Sequence, residues 1–326
     1  MSGKVLVTGG AGFIGSHLTR RLLDRGDAVT ILDDFNDYYP PALKRQNLAP
    51  LLTRPGCRLV EGDIRDTALV DRLFAEGGFS AVVHLAARAG VRPSLAEPIL
   101  YEDVNCIGTL RLLEAARRHG PQTFIFGSSS SVYGINTKIP FAESDEVNQP
   151  ISPYATTKRA GELLCFNYHH LYDLRATCLR FFTVYGPAQR PEMAISKFTD
   201  LLARGETVPL YGDGSSRRDY TYIDDIVDGI VASLDLAPGF EIVNLGGAET
   251  TSLAELVAIL AAELAVTPSI QYLPMQPGDV PITYADVGKA ASLLGYSPKV
   301  PIREGLRRYV AWYQENRQKR VPASIG

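Results

Sequence analysis

The chain has 326 residues, with 33 Lys+Arg against 36 Asp+Glu and a formal net charge of −3. That length suits about two domains, and 45% hydrophobic with 21% charged residues is ordinary globular composition, which excludes wholesale disorder. The faintly acidic balance lacks the basic stripe of a nucleic-acid binder, and no apolar run reaches the roughly 18–20 residues of a membrane helix. In chain order, segments 4–8, 28–33, 58–61, 81–85, 123–127 and 176–182 read as strands. They are continuous and rich in Val, Ile, Leu and Phe, the pattern of strands buried on both faces. Helical patterns at 13–25, 67–76, 98–119 and 153–172 alternate with them, which predicts βαβ units and an α/β fold with a doubly wound parallel sheet. Asp66 is a candidate N-cap, and His119-Gly120-Pro121 a helix stop. Segments 182–190 and 210–216 read as loops, and helices return at 223–236, 252–264 and 302–317. A domain at 1–180, rejoined by about 219–246, and a smaller C-terminal α/β domain over most of 181–326 are expected. Met1 leads within three residues into Val5-Leu6-Val7, too little for a signal peptide, so a cytoplasmic location is expected. Cys57, Cys106, Cys165 and Cys178 lie far apart without a C-x-x-C, so neither a metal site nor a disulfide framework is expected.

The first strand runs into Thr8-Gly9-Gly10-Ala11-Gly12-Phe13-Ile14-Gly15, a G-x-x-G-x-x-G turn that opens a helix. One glycine permits the tight turn, another lets backbone approach a pyrophosphate, and the third lets helix and sheet pack closely. The helix N-terminus then offers free N–H groups to the phosphates. Gly9, Gly12, Phe13, Ile14 and Gly15 are therefore predicted to bind a dinucleotide. Eighteen residues beyond Gly15, the second strand ends at Asp33, whose carboxylate would accept from the adenosine ribose hydroxyls and repel a 2′-phosphate. NAD is the expected cofactor. Asp63 and Ile64, after the third strand, are expected to flank its adenine.

Tyr154 and Lys158 stand at i and i+4 near the start of a helix, on one face. Their counterpart is the run Ser128-Ser129-Ser130-Ser131 at the end of the fifth strand, the edge at which such sheets bind ligands. Together they make a Ser–Tyr–Lys constellation. A phenol of pKa near 10 is a poor base, and lowering it to about 7 takes roughly 4 kcal/mol. An ammonium some 5 Å away supplies about 3 kcal/mol at an effective dielectric of 20, and oxidised nicotinamide adds positive charge. Ser129 can then orient a substrate hydroxyl or pass its proton. His84 reads as a packed core histidine and Trp312 as part of an apolar helix face, while Arg88 and Arg92 divide evenly between surface charge and substrate contact.

From the glycine turn through Asp63, Leu85-Ala86-Ala87, Asn105, the serine run, Tyr154/Lys158 and Arg218-Asp219-Tyr220, the chain resembles the extended short-chain dehydrogenase/reductases, specifically the nucleotide-sugar epimerases and dehydratases. The resemblance covers nearly the whole chain. It implies a Rossmann domain holding NAD through Leu85, Ala86, Ala87, Asn105, Tyr154, Lys158 and Phe181 as well, and a C-terminal domain gripping a nucleotide diphosphate sugar. It also implies a homodimer built on a four-helix bundle from 98–119 and 153–172. Sugar dehydratases and UDP-glucuronate decarboxylases of this family carry an acidic residue just before Val132-Tyr133-Gly134, where this chain has Ser131. Oxidation and re-reduction at C4, an epimerisation, remain. The segments 34–48, 190–194 and 275–279 look closest to UDP-glucuronate 4-epimerases, with Thr183 where UDP-galactose 4-epimerases have Asn and Gln276 where they have Arg. By resemblance Ser128, Ser130, Thr183, Arg190, Arg218 and Asp279 would bind the sugar nucleotide. The alternatives are a 4-epimerase of UDP-glucose/galactose or their N-acetyl analogues, and a non-catalytic NAD sensor on the same fold.

Overall fold

A computed structural model describes residues 3–121, 123–236, 239–274 and 280–316. In chain order the strands are β1 (Lys4–Thr8), β2 (Ala28–Asp33), β3 (Cys57–Glu61), β4 (Ala81–His84), β5 (Thr123–Ser129), β6 (Arg175–Phe181), β7 (Thr183–Tyr185), β8 (Val208–Tyr211), β9 (Arg217–Arg218), β10 (Tyr220–Tyr222), β11 (Phe240–Leu245), β12 (Thr251–Ser252) and β13 (Ile270–Leu273). Seven of them form one parallel sheet in the order β11-β6-β5-β4-β1-β2-β3. The alternation of side chains along β1 shows why it is buried twice over: Val5 and Val7 join the core on one face, Leu6 the core on the other. Strand order reverses between β1 and β4, and the crevice that opens beyond their carboxyl ends is where this architecture binds ligands.

The doubly wound Rossmann-type sheet is as expected from the sequence. The reading of 98–119 as one helix needs refinement: Pro98–Glu102 and Gly108–His119 are joined by a π-helical turn, Asp103–Ile107. Gly108 belongs there because a Cβ would stand 2.5 Å from Ile64 Cδ1. The rod stops at Gly120, at φ +82°. Asp66 does cap Thr67–Gly77, accepting from Leu69 N at 3.0 Å. Ser252, expected inside a helix, instead caps Leu253–Glu263 in a reciprocal capping box with Glu255. The expected loop 182–190 contains the short strand β7, and β8 runs two residues into the expected loop 210–216; they pair with β10 and β13. Helices Pro41–Leu52, Ala194–Arg204 and Gly288–Leu294 and the sheet-edge strand β11 were not anticipated. Pro41–Leu52 carries prolines at both ends and little apolar periodicity, so its sequence hides it. No described helix is long and apolar enough to cross a membrane.

Candidate active site

A cleft of about 500 Å³ runs along the carboxyl ends of β1, β2, β4, β5 and β6. Its first half is built mostly from backbone. Gly9 sits at φ +69°, and a Cβ on it would lie 2.7 Å from Ala86 N; a Cβ on Gly15 would lie 2.3 Å from Gly9 O. Those collisions leave room only for hydrogen, so the turn is a cradle that side chains would fill. Gly12 is the N-cap of Phe13–Asp24 and has no side-chain cap, which leaves the first helical N–H groups facing the cleft. This is the fit a dinucleotide pyrophosphate requires. At the end of β2, Asp33 accepts from Ala11 N and Phe35 N, both at 3.0 Å. Burial pushes its pKa up, and Lys44 nearby pulls it back. Burial likewise raises Asp63, but hydrogen bonds from Arg65 outweigh it and hold that carboxyl below its ordinary range.

Phe13, Ile14, Ile64, Leu85, Ala86, Ala87 and Phe181 also line the cleft. Asn105 does not. It is buried under the wall, where its amide bonds both Arg88 N (2.8 Å) and Arg88 O (3.0 Å) and donates to Thr157 Oγ1 (3.0 Å). It holds the 85–88 turn rather than the cleft surface. His84 is a core histidine, hydrogen-bonded to Thr8 Oγ1 (2.7 Å) and Thr109 Oγ1 (2.9 Å), with burial lowering its pKa to about 3.

The reacting corner lies at the end of β5. Ser152 caps the helix Pro153–Tyr172, accepting from Ala155 N at 3.1 Å, and so fixes the first turn that carries Tyr154. Lys158, one turn on, donates to Gly127 O at 2.7 Å, with its ammonium 5.9 Å from the Tyr154 ring. Burial lowers Lys158 to about 8. Burial also raises Tyr154 above its usual value, while a hydrogen bond with Ser129 and the positive charge of Arg190 pull it down. Arg190, expected from the sequence to bind substrate, thus also acts on the phenol.

The four serines separate by role. Ser129 Oγ accepts from Ser131 N (3.2 Å) and Ser131 Oγ (2.9 Å), so Ser131 props the Ser129 hydroxyl. Ser128 lines the cleft, yet its proton goes to Glu162 Oε1 at 2.7 Å, and Glu162 is itself gripped by Arg180 (2.8 and 2.9 Å) and Arg159 (3.0 Å). Ser130 opens a 3₁₀ turn and lines the cleft. On the opposite wall stand Thr183 on β7, Arg190 and Arg218. Arg190 pairs with Glu192 at 3.1 Å and lies 5.7 Å from the Tyr38 ring centroid; Arg218 donates to Arg217 O at 2.9 Å. Asp279 and Gln276 lie outside the described residues. The carboxylates lining the cleft among the described residues, Asp33, Asp34 and Asp63, all stand in its first half.

Several lining residues were given no role in the sequence, among them Tyr38, Tyr39, Lys44, Met193 and Thr283, while Arg88, left open between surface charge and substrate contact, lines the cleft. Position along the segment 34–48 was the available signal for the first three. Arg92, left open beside Arg88, lies over the Tyr211 ring at 5.0 Å.

The profile of the NAD dependent epimerase/dehydratase family matches residues 5–246. The chain is 44% identical over 327 residues to UDP-glucuronate 4-epimerase 4 of Arabidopsis thaliana, covering 95% of this chain and 75% of that one. It superposes with a TM-score of 0.90 and 36% identity on the UDP-glucuronic acid 4-epimerase of Bacillus cereus, solved with UDP-glucuronic acid and NAD, over 96% of this chain and 99% of that one. The UDP-glucose 4-epimerase of Thermotoga maritima, solved with UDP-glucose, gives 0.89 and 34% over 96% and 99%. The chain belongs to the NAD dependent epimerase/dehydratase family, with NAD as its cofactor and nucleotide-sugar epimerisation as its class of chemistry.

Proposed function

We propose that the chain interconverts UDP-glucuronate and UDP-galacturonate. The observation that carries this reading is the reacting corner: Tyr154, Lys158 and a cluster of serine hydroxyls, with the neighbouring carboxylate, Glu162, buried and consumed by Arg180, Arg159 and Ser128. Elimination of water calls for a free carboxyl group at that corner beside the base, and none lines it among the described residues; removal and return of a hydride at C4 does not need one. The identities to UDP-glucuronate 4-epimerases support the choice of sugar.

NAD, when bound, would supply a reversible hydride acceptor at C4 of the sugar. Tyr154, whose burial-raised pKa Ser129 and Arg190 pull part of the way back, accepts the C4 hydroxyl proton, and Ser129 orients that hydroxyl. The glycine turn, Asp33, Asp63 and Ile64 hold the dinucleotide, with Leu85, Ala86, Ala87 and Phe181 against it and Asn105 behind. Ser130 and Thr183 bind the sugar carboxylate, and Arg190 and Arg218 face the diphosphate, with Asp279 beyond. A ketone at C4 lies β to the C6 carboxylate, so the breaking C5–C6 bond must be kept away from the perpendicular to the carbonyl plane. Fixed hydroxyl donors suit that better than a mobile cation. Residues 1–180 with about 219–246 form the cofactor domain in this reading and most of the remainder the substrate domain.

The same reading makes the protein a cytoplasmic homodimer. Ile99 (83% exposed), Leu171 (63%), Leu95 (52%) and Phe166 (45%) crowd the helices around 91–119 and 153–172, an apolar surface suited to a four-helix bundle. Light scattering should give twice the chain mass, and Ile99→Glu with Phe166→Glu should give monomer. The substrate is tested by NMR product profiles with UDP-glucuronate, UDP-glucose and its N-acetyl analogue, with no added reductant. Turnover of UDP-glucuronate well above the neutral sugars is expected. Faster turnover of a neutral sugar would reassign the substrate, and NAD-loaded protein that turns over none would make it a sensor.

A further inference from the structure

Lys44 projects from the helix Pro41–Leu52 into the first half of the cleft. Its side chain is only 6% exposed, and an ammonium is seldom buried that far unless paired. Its ion-pair partner is Asp33, but 3.9 Å between Nζ and Oδ1 is too long for a hydrogen bond. The ring of Tyr39, with its centroid 5.1 Å from Nζ, covers another side. An ammonium carries three donors, and neither contact consumes one as a hydrogen bond.

Asp33 shows the complementary situation. Each of its oxygens accepts a single backbone N–H, from Ala11 and from Phe35, which leaves lone pairs for further donors. The end of β2 therefore sets an acceptor and a donor side by side where a dinucleotide's adenosine ribose is held in this fold. A ribose hydroxyl is both donor and acceptor, so it satisfies the two together. A 2′-phosphate is acceptor only: it suits the ammonium and is repelled by the carboxylate.

We infer that Lys44 is a specificity-determining residue for the dinucleotide, binding the ribose oxygens alongside Asp33 and able to hold a 2′-phosphate once the Asp33 charge is removed. The preference for NAD over NADP then rests on one carboxylate set against a standing cation. The competing cations are accounted for. Arg45 is engaged with Glu61 (2.9 and 3.2 Å) and stacked 4.2 Å over Phe35, while Arg88 lines the cleft near enough to repel Lys44.

The test reads retained nucleotide and is independent of any sugar. Full-length protein and variants are incubated to constant composition with equal NAD and NADP, freed of unbound nucleotide by gel filtration, denatured, and assayed by chromatography. Asp33→Asn keeps a side-chain acceptor and removes the charge; it should raise the NADP-to-NAD ratio at least about thirtyfold, and Lys44→Met in that background should remove most of the gain. Lys44→Met alone should cut retained NAD about five- to tenfold without raising the NADP share. An Asp33→Asn protein that gains no NADP, or gains it equally with and without Lys44, overturns the inference. So does a gain erased by Arg88→Ala in place of Lys44→Met. Should Asp33→Asn fail to fold, Lys44→Met alone decides, since unchanged NAD retention in it contradicts the inference.

Discussion

The two halves of the cleft are made from different materials. The cofactor half is backbone: glycines with no room for a Cβ, uncapped N–H groups at a helix start, and one strand-end carboxylate held by two amides. The substrate half is side chain: hydroxyls from the end of β5, Thr183 from β7, and Arg190 and Arg218 from separate later segments. Backbone is shared by every residue type, so a backbone site tolerates little substitution and announces itself through glycine. A side-chain site can be re-aimed one residue at a time, which is where one fold acquires different substrates.

Substitutions should divide along the same line. Tyr154→Phe keeps the ring and removes the proton acceptor, so turnover should fall by roughly 10²–10⁴ with NAD content unchanged. Parallel loss of bound NAD would show that Tyr154 belongs to the cofactor half. Thr183→Val keeps the shape and deletes one donor worth about 1.5–3 kcal/mol to a carboxylate. It should weaken UDP-glucuronate use about ten- to a hundredfold, spare any UDP-glucose turnover, and leak some 4-ketopentose. Equal losses on both sugars would remove Thr183 from carboxylate recognition. Gly15→Ala places a methyl against Gly9 O and should cut retained NAD about tenfold, with all sugars affected alike.

The smallest effect concerns the base. Tyr154 must be ionised to act, and Arg190 favours the ionised form, so losing that charge should move the acidic limb of the pH–rate profile upward. Arg190→Met is expected to shift it upward. Lys158, at about 8, keeps its proton below that pH and contributes in the same direction. An unmoved limb in Arg190→Met would leave the tuning to Lys158.

The same contrast governs what the sequence reveals. The glycine turn and Asp33 are legible because each lies in a contiguous stretch whose geometry is local, and the alternation of apolar strands with helices announces the sheet. Tyr154 and Lys158 are legible through helical spacing. Lys44, Tyr38 and Tyr39 are not, because 34–48 has no period and its helix begins at a Pro-Pro step. Glu162 looks like any helical glutamate until β6 brings Arg180 beneath it, and only the fold shows that the Ser128 hydroxyl donates its hydrogen bond there. The influence of Arg190 on Tyr154 joins residues 36 positions apart and leaves no local trace.

Following carbon through the reaction tests the substrate half most directly. UDP-glucuronate is incubated with the purified protein and no added cofactor, and UDP-galacturonate, carbon dioxide and UDP-pentose are measured over time. UDP-galacturonate should accumulate to equilibrium with NAD neither consumed nor required, and pentose should stay a trace. Predominant pentose, or turnover that needs stoichiometric NAD or NADH, would contradict the assignment of fixed hydroxyls to the carboxylate and of a returned hydride to C4.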